Sequence, residues 1–90
     1  MWDAQELENC TKALETVGGF DWLLNASGDF LGITEIMEGY HTSRKTVVSW
    51  FEGKQIPGAF QEPTTNIMRF PRRGLIVFFG RLVMPSFRAA

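Results

Sequence analysis

The chain has 90 residues, 44% hydrophobic and 21% charged, which is the size of one small domain with a modest core and the composition of an ordinary soluble globular protein. No run approaches the roughly 20 apolar residues of a membrane span, the acidic N-terminus does not read as a secretory signal, and the single cysteine, Cys10, excludes an internal disulfide and suits a reducing cytosol. The net charge of −1 hides a division: residues 1–38 carry eight acids against Lys12, whereas residues 39–90 carry Glu52 and Glu62 against eight basic side chains.

In chain order, residues 2–17 predict an amphipathic helix. Leu7, Cys10, Leu14 and Val17 recur at spacings of three, four and three, Trp2 extends the stripe, and Gly18-Gly19 stops it. As a dimer seam this stripe covers under two heptads, too short to hold two chains together unaided. Phe20-Asp21-Trp22-Leu23-Leu24 is apolar without a period that assigns its type, and 25–29 reads as a turn. Leu31, Ile33, Ile36, Met37 and Tyr40 supply the buried positions of a short helix beginning near Thr34, whose hydroxyl is placed to cap it. After the tight turn Gly39-Tyr40-His41-Thr42, Ser43 makes a good N-cap for a second helix with Thr46, Val47, Trp50 and Phe51 inward. Gly53 stops that helix, and Ile56-Pro57 leaves in an extended direction because proline disfavours helix in the residue before it. Two short helices joined by a few residues form a helix-turn-helix unit.

The polar stretch 61–66, flanked by 58–60 and 67–70, predicts a β-hairpin with a polar tip, or wing. Pro71 fits the first position of a helix. Leu75, Phe78, Phe79, Leu82 and Val83 recur at i, i+3, i+4, i+7 and i+8, predicting a last helix that Pro85 ends, with Ile76 and Val77 left exposed.

The segment LGITEIMEGYHTSRKTVVSWFEGKQIPGAF, followed by MRFPRRGLIVFF, resembles the excisionase-like branch of MerR-type winged helix-turn-helix domains. Such domains show an apolar helix, a recognition helix of the form vS..TV..W, a G.IP exit, a wing, and wrfpr..l..f leading into a final helix. Ser43, Thr46, Val47, Trp50, Ile56, Pro57, Arg69, Phe70, Pro71, Arg72, Leu75 and Phe78 stand at matching places, over about residues 30–80. The sequence departs in two respects. Gly53 lies one position before the usual glycine, where Lys54 stands, and the acidic first 30 residues have no counterpart in the minimal domain. The resemblance implies a mostly α fold with a small β-hairpin wing, a winged helix-turn-helix with an extra N-terminal helix. The corresponding division is an acidic helical extension at 1–29, the domain at 30–84 and a tail at 85–90.

It also implies sequence-specific binding to duplex DNA, the recognition helix (about 43–53) entering the major groove and the wing (about 58–70) reaching the backbone or an adjacent minor groove. The DNA-binding candidates are then Ser43, Arg44, Lys45, Thr46, Ser49 and Lys54 on the helix and its exit, Thr64, Thr65, Asn66 and Arg69 on the wing, and Arg72 and Arg73 at the last helix start. Arg44 and Lys45 are placed to read guanine O6/N7 or to hold phosphate. Ser43 can cap its helix and present the first N–H groups to a phosphate. Val48 faces outward, toward a thymine methyl or plain solvent. Arg72 and Arg73 gain nothing from the helix dipole at their end and so are placed for an external anion. Each arginine alone is an ordinary solvated charge; together they point outward to a polyanion.

Catalysis has little to stand on. His41 is the only histidine, it sits in a turn, and Cys10 with His41 is no metal-ligand set. The expectation is therefore no enzyme, no catalytic residue, no metal and no cofactor. The expected partner is duplex DNA, bound as a homo-dimer or a cooperative array, in the cytoplasm of a bacterium or from a phage, associated with the nucleoid when DNA-bound. The role is that of a small transcriptional regulator or an excisionase-like recombination factor. Two alternatives are the DNA-recognition subunit of a phage packaging machine and a protein-interaction module that docks through its acidic third or through Ile76 and Val77.

Overall fold

The computed structural model describes residues 4–89, with side chains through Met84, so Trp2 at the start of the expected stripe and Ala90 lie outside the described residues. In chain order the elements are α1 (Ala4–Val17), α2 (Asp21–Leu24), β1 (Phe30–Leu31), α3 (Ile33–Tyr40), α4 (Arg44–Glu52), β2 (Phe60–Gln61), β3 (Met68–Pro71) and α5 (Arg72–Ala89). The result is a mostly helical fold with a small antiparallel sheet of order β1-β3-β2. Phe30 pairs with Pro71 and Leu31 with Phe70, while Phe60 pairs with Arg69 and Gln61 with Met68. Because side chains alternate along a strand, this register puts Phe30, Phe60, Arg69 and Pro71 on one side of the sheet. Leu31, Gln61, Met68 and Phe70 take the other side, where Leu31 and Phe70 are buried.

α1 ends where Gly18 and Gly19 take φ values of +81° and +84°, a conformation open to glycine at little cost. The chain reverses there, and α1 lies antiparallel along α5, with Glu6 against Arg81 and the Cys10 thiol 3.8 Å from the Val77 carbonyl. The approach is close enough that a Cβ on Gly80 would collide with Cys10. The acidic extension is therefore built into the core: Cys10, Leu14, Phe20 and Leu23 share one hydrophobic cluster with Leu75, Ile76, Phe78 and Phe79. At its centre the Phe79 ring meets Tyr40 at 4.7 Å, Phe20 at 5.3 Å and Trp50 at 5.8 Å between centroids. One ring thereby joins the N-terminal third to both middle helices.

Several expectations change on contact with this packing. Ile76 and Val77 are buried, at 3% and 0% exposure: α1 packs on α5 at Val77 and Gly80, and Ile76 shares the hydrophobic cluster of Phe79. A helix covered from two sides buries a wider arc than one stripe, and Leu82, placed in the stripe by its spacing, is 53% exposed. α5 also continues past Pro85 to Ala89; proline deletes one donor and crowds one carbonyl, which can bend a helix without ending it. β1 replaces the expected approach to α3, so Leu31 is buried on a strand. The N-cap of α3 is Gly32 and not Thr34: the Glu35 carboxylate accepts the Gly32 N–H at 3.1 Å, half of a capping box. The unassigned 20–24 segment holds a single turn of helix, α2.

Candidate functional site

α3 and α4 are joined by His41, Thr42 and Ser43. His41 adopts a left-handed conformation (φ 56°) as the C-cap of α3, and the Thr42 N–H returns to the Met37 carbonyl at 3.1 Å. Ser43 is extended, and its Oγ accepts the Thr46 N–H at 3.2 Å, the N-cap geometry expected of it. Thr46 is half-buried with its hydroxyl 3.0 Å from Ser43 Oγ, so it belongs to the cap and not to the outward face. Val47 anchors α4 in the core, whereas Arg44, Lys45 and Ser49 are exposed. Val48 is half-buried against the cluster and offers less of itself to a ligand than its helical position suggests. The first turn of α4 carries no acid. Its two cations face the positive end of the helix, so nothing within that turn favours them.

At the other end, Gly53 is the C-cap and Lys54 takes the left-handed conformation (φ 54°), its N–H bonded to the Phe51 carbonyl. Lys54 is exposed and lines an open groove of about 410 Å³ with Phe51, Glu52 and the 56–59 exit.

The hairpin tip is tied by its own side chains. The Glu62 N–H donates to the Ile67 carbonyl at 2.9 Å, the Asn66 N–H to the Glu62 carbonyl at 2.8 Å, and Gln61 Nε2 to the Asn66 carbonyl at 2.9 Å. Asn66 takes φ 59°, a left-handed position that asparagine tolerates better than most residues. Thr65 Oγ1 donates to Glu62 Oε2 at 2.9 Å, and Arg69 Nη2 donates to the same oxygen at 3.3 Å. The Thr65 hydroxyl first, and Arg69 second, hold the Glu62 carboxyl below its ordinary value. Thr64 stands exposed at the tip.

Between the hairpin, the start of α3 and the start of α4 lies an open groove of about 390 Å³, lined among others by Thr34, Glu35, Arg44, Gln61, Asn66 and Ile67. The groove brings Arg44 together with Asn66 across 22 residues of chain. It also admits the Glu35 carboxylate, which would oppose an anion there. Arg72 and Arg73 are elsewhere: they line a second groove of about 330 Å³ with Asp29, Phe30 and Pro71. Arg72 is half-buried and works as a tether, Nη1 donating to the Leu24 carbonyl and its backbone N–H to the Asp29 carbonyl. Of that pair Arg73 is exposed. The candidates thus separate into α4 with the hairpin tip and, apart from them, the β1–α5 junction, while Arg69 lies on the Phe30 and Pro71 side of the sheet, opposite the Gln61 and Met68 that line the Arg44 groove.

Glu62 is the residue of the hairpin tip that the sequence pattern does not single out. Glu62 was within reach of it, since the hairpin register places it diagonally from Arg69 on the same side. Among the described residues no three of His, Cys, Asp and Glu gather as a metal site, and no helix is long and apolar enough to cross a membrane. Comparison with family models, with curated proteins and with solved structures returns no match to this chain.

Proposed function

We propose that the chain is a winged helix-turn-helix protein that binds duplex DNA sequence-specifically, with α4 as the recognition helix and the β2–β3 hairpin as the wing. The observation that carries this reading is the start of α4. Arg44 and Lys45 are exposed, uncompensated by any acid in their turn, and seated after a Ser43 cap beside a groove shared with the hairpin. Lys54 adds support, because it occupies with positive φ the place where the resembled domains carry glycine. The biological role is that of a small transcriptional regulator or an excisionase-like recombination factor, acting as a dimer or cooperative array; a phage packaging subunit would use the same surface. The burial of Ile76 and Val77 takes away one support of the partner-docking alternative and leaves its other, the acidic third.

An anisotropy titration of duplex DNA against the intact protein at several salt concentrations tests the proposal. Affinity should fall with salt at a slope near −0.9 per phosphate neutralised, and roughly four to six contacts would make that dependence steep. Absence of binding to genomic or random duplex at low salt overturns it.

A further inference from the structure

Among the described residues, Arg69 is the arginine of the hairpin and the start of α5 that is already engaged by a carboxylate. The partner, Glu62, is at the base of the tip, with side chains 40% and 36% exposed for Arg69 and Glu62 respectively. One oxygen, Glu62 Oε2, receives both Arg69 Nη2 at 3.3 Å and Thr65 Oγ1 at 2.9 Å, while the Glu62 backbone closes the tip through Ile67 and Asn66. A solvent-exposed pair of this length is weak and readily exchanged. A phosphate presents more acceptor oxygens and more charge than a carboxylate, and arginine suits it geometrically.

Resting on the DNA-binding reading, we infer that Glu62 is a positioning residue that holds Arg69 in reserve: it orders the hairpin tip in the free protein and yields Arg69 to a DNA phosphate on binding.

The test is a double-mutant cycle on the full chain, read by anisotropy with one fixed duplex across a salt series. Glu62→Gln keeps an oxygen for the Thr65 hydroxyl and removes the ion pair; binding should tighten about two- to fivefold, the range of an exposed ion pair. In an Arg69→Ala background that gain should vanish, because it is routed through Arg69. Arg69→Ala alone should shallow the salt slope by about 0.9, one phosphate. Thr65→Ala, which loosens the tip but leaves the ion pair, should give no gain.

An equal gain from Glu62→Gln in both backgrounds would mean that the carboxylate acts only through its general field, and overturns the inference. So does weaker binding by a folded Glu62→Gln protein, or a gain in Thr65→Ala equal to that of Glu62→Gln. If the wild-type chain binds no duplex at all, the DNA-binding reading falls and the inference with it, an outcome distinct from the other three.

Discussion

Along α1 and beyond the first turn of α5, the described basic side chains have acidic partners: Lys12 lies 3.2 Å from Glu8, and Arg81 grips Glu6 with two nitrogens at 2.8 and 3.0 Å. On α4, Arg44 and Lys45 make no ion pair among the described residues. The elements differ in the same sense. α1 and α5 are long and bury a continuous contact, whereas α3, α4 and the hairpin are short and hang on a few anchors such as Val47, Ile36 and Phe70. The contrast shows a division of labour within one small core. The helical pair supplies stability and neutralises its own charge, the hairpin pairs Arg69 with Glu62, and the start of α4 leaves its two cations without an ion pair among the described residues.

The hardest way to break that contrast is to remove the ring that joins the two regions. Phe79 is fully buried and touches Phe20, Trp22, Tyr40, Trp50 and Phe78. Phe79→Ala should cost about 3–5 kcal/mol, a large share of the stability of a 90-residue domain. Chemical denaturation should show one cooperative loss. Separate transitions for the α1–α5 region and the α3–α4 region would refute the single core.

A smaller and more selective effect should come from the uncompensated face. Arg44→Ala and Lys45→Ala should each weaken binding to a preferred duplex by about 1–3 kcal/mol if the side chain reads a base, with relaxed preference at one or two base pairs. The denaturation midpoint should not move, because neither residue packs on the core. Unchanged affinity and preference in folded variants would withdraw α4 from the proposed interface. Smaller again, Ser43→Ala should cost about 1 kcal/mol of stability through the lost bond to Thr46. It tests whether the cap, and not the cations, orients the start of α4: circular dichroism would show slight fraying, and affinity should fall only in proportion.

How far this arrangement could be read from the residues follows the same contrast. α4 was legible because its signals are local: a serine cap, a helical stripe through Val47 and Trp50, a glycine stop. The hairpin was legible from its polar tip. β1 was not, since two residues carry no period and their pairing partners lie 41 and 39 positions away. Ile76 and Val77 were misplaced for a related reason: periodicity reports one buried face, and only the tertiary approach of α1 makes a second. Arg72 looked like a free anion ligand because its tether, the Leu24 carbonyl, is 48 residues distant. Charge at the site was therefore easier to see than the contacts that already use it.

The smallest expected effect separates the two regions by pH. Glu62, in the hairpin, has its carboxyl lowered by the Thr65 hydroxyl and Arg69, so the folded form binds its proton less readily than the unfolded chain. Its contribution is complete above the ordinary value of 4.5 and is lost as pH falls through the lowered folded value. Cys10, in the helical pair, runs the opposite way. Burial first, and the nearby Glu6 carboxylate second, raise its thiol, with Arg81 pulling it down. Its contribution is complete below the ordinary value of 9.0 and is lost as pH rises through the raised folded value. Acid should therefore loosen the hairpin before the helices, and alkali the α1–α5 contact before the hairpin. Hydrogen exchange corrected for intrinsic rates would detect this at the Asn66 amide on the acid side and the Leu14 amide on the alkaline side. Glu62→Gln should flatten the acid response alone, and Cys10→Ala the alkaline response alone. Loss of both responses in either variant would mean that the two regions open together, and the division between them would hold for charge but not for stability.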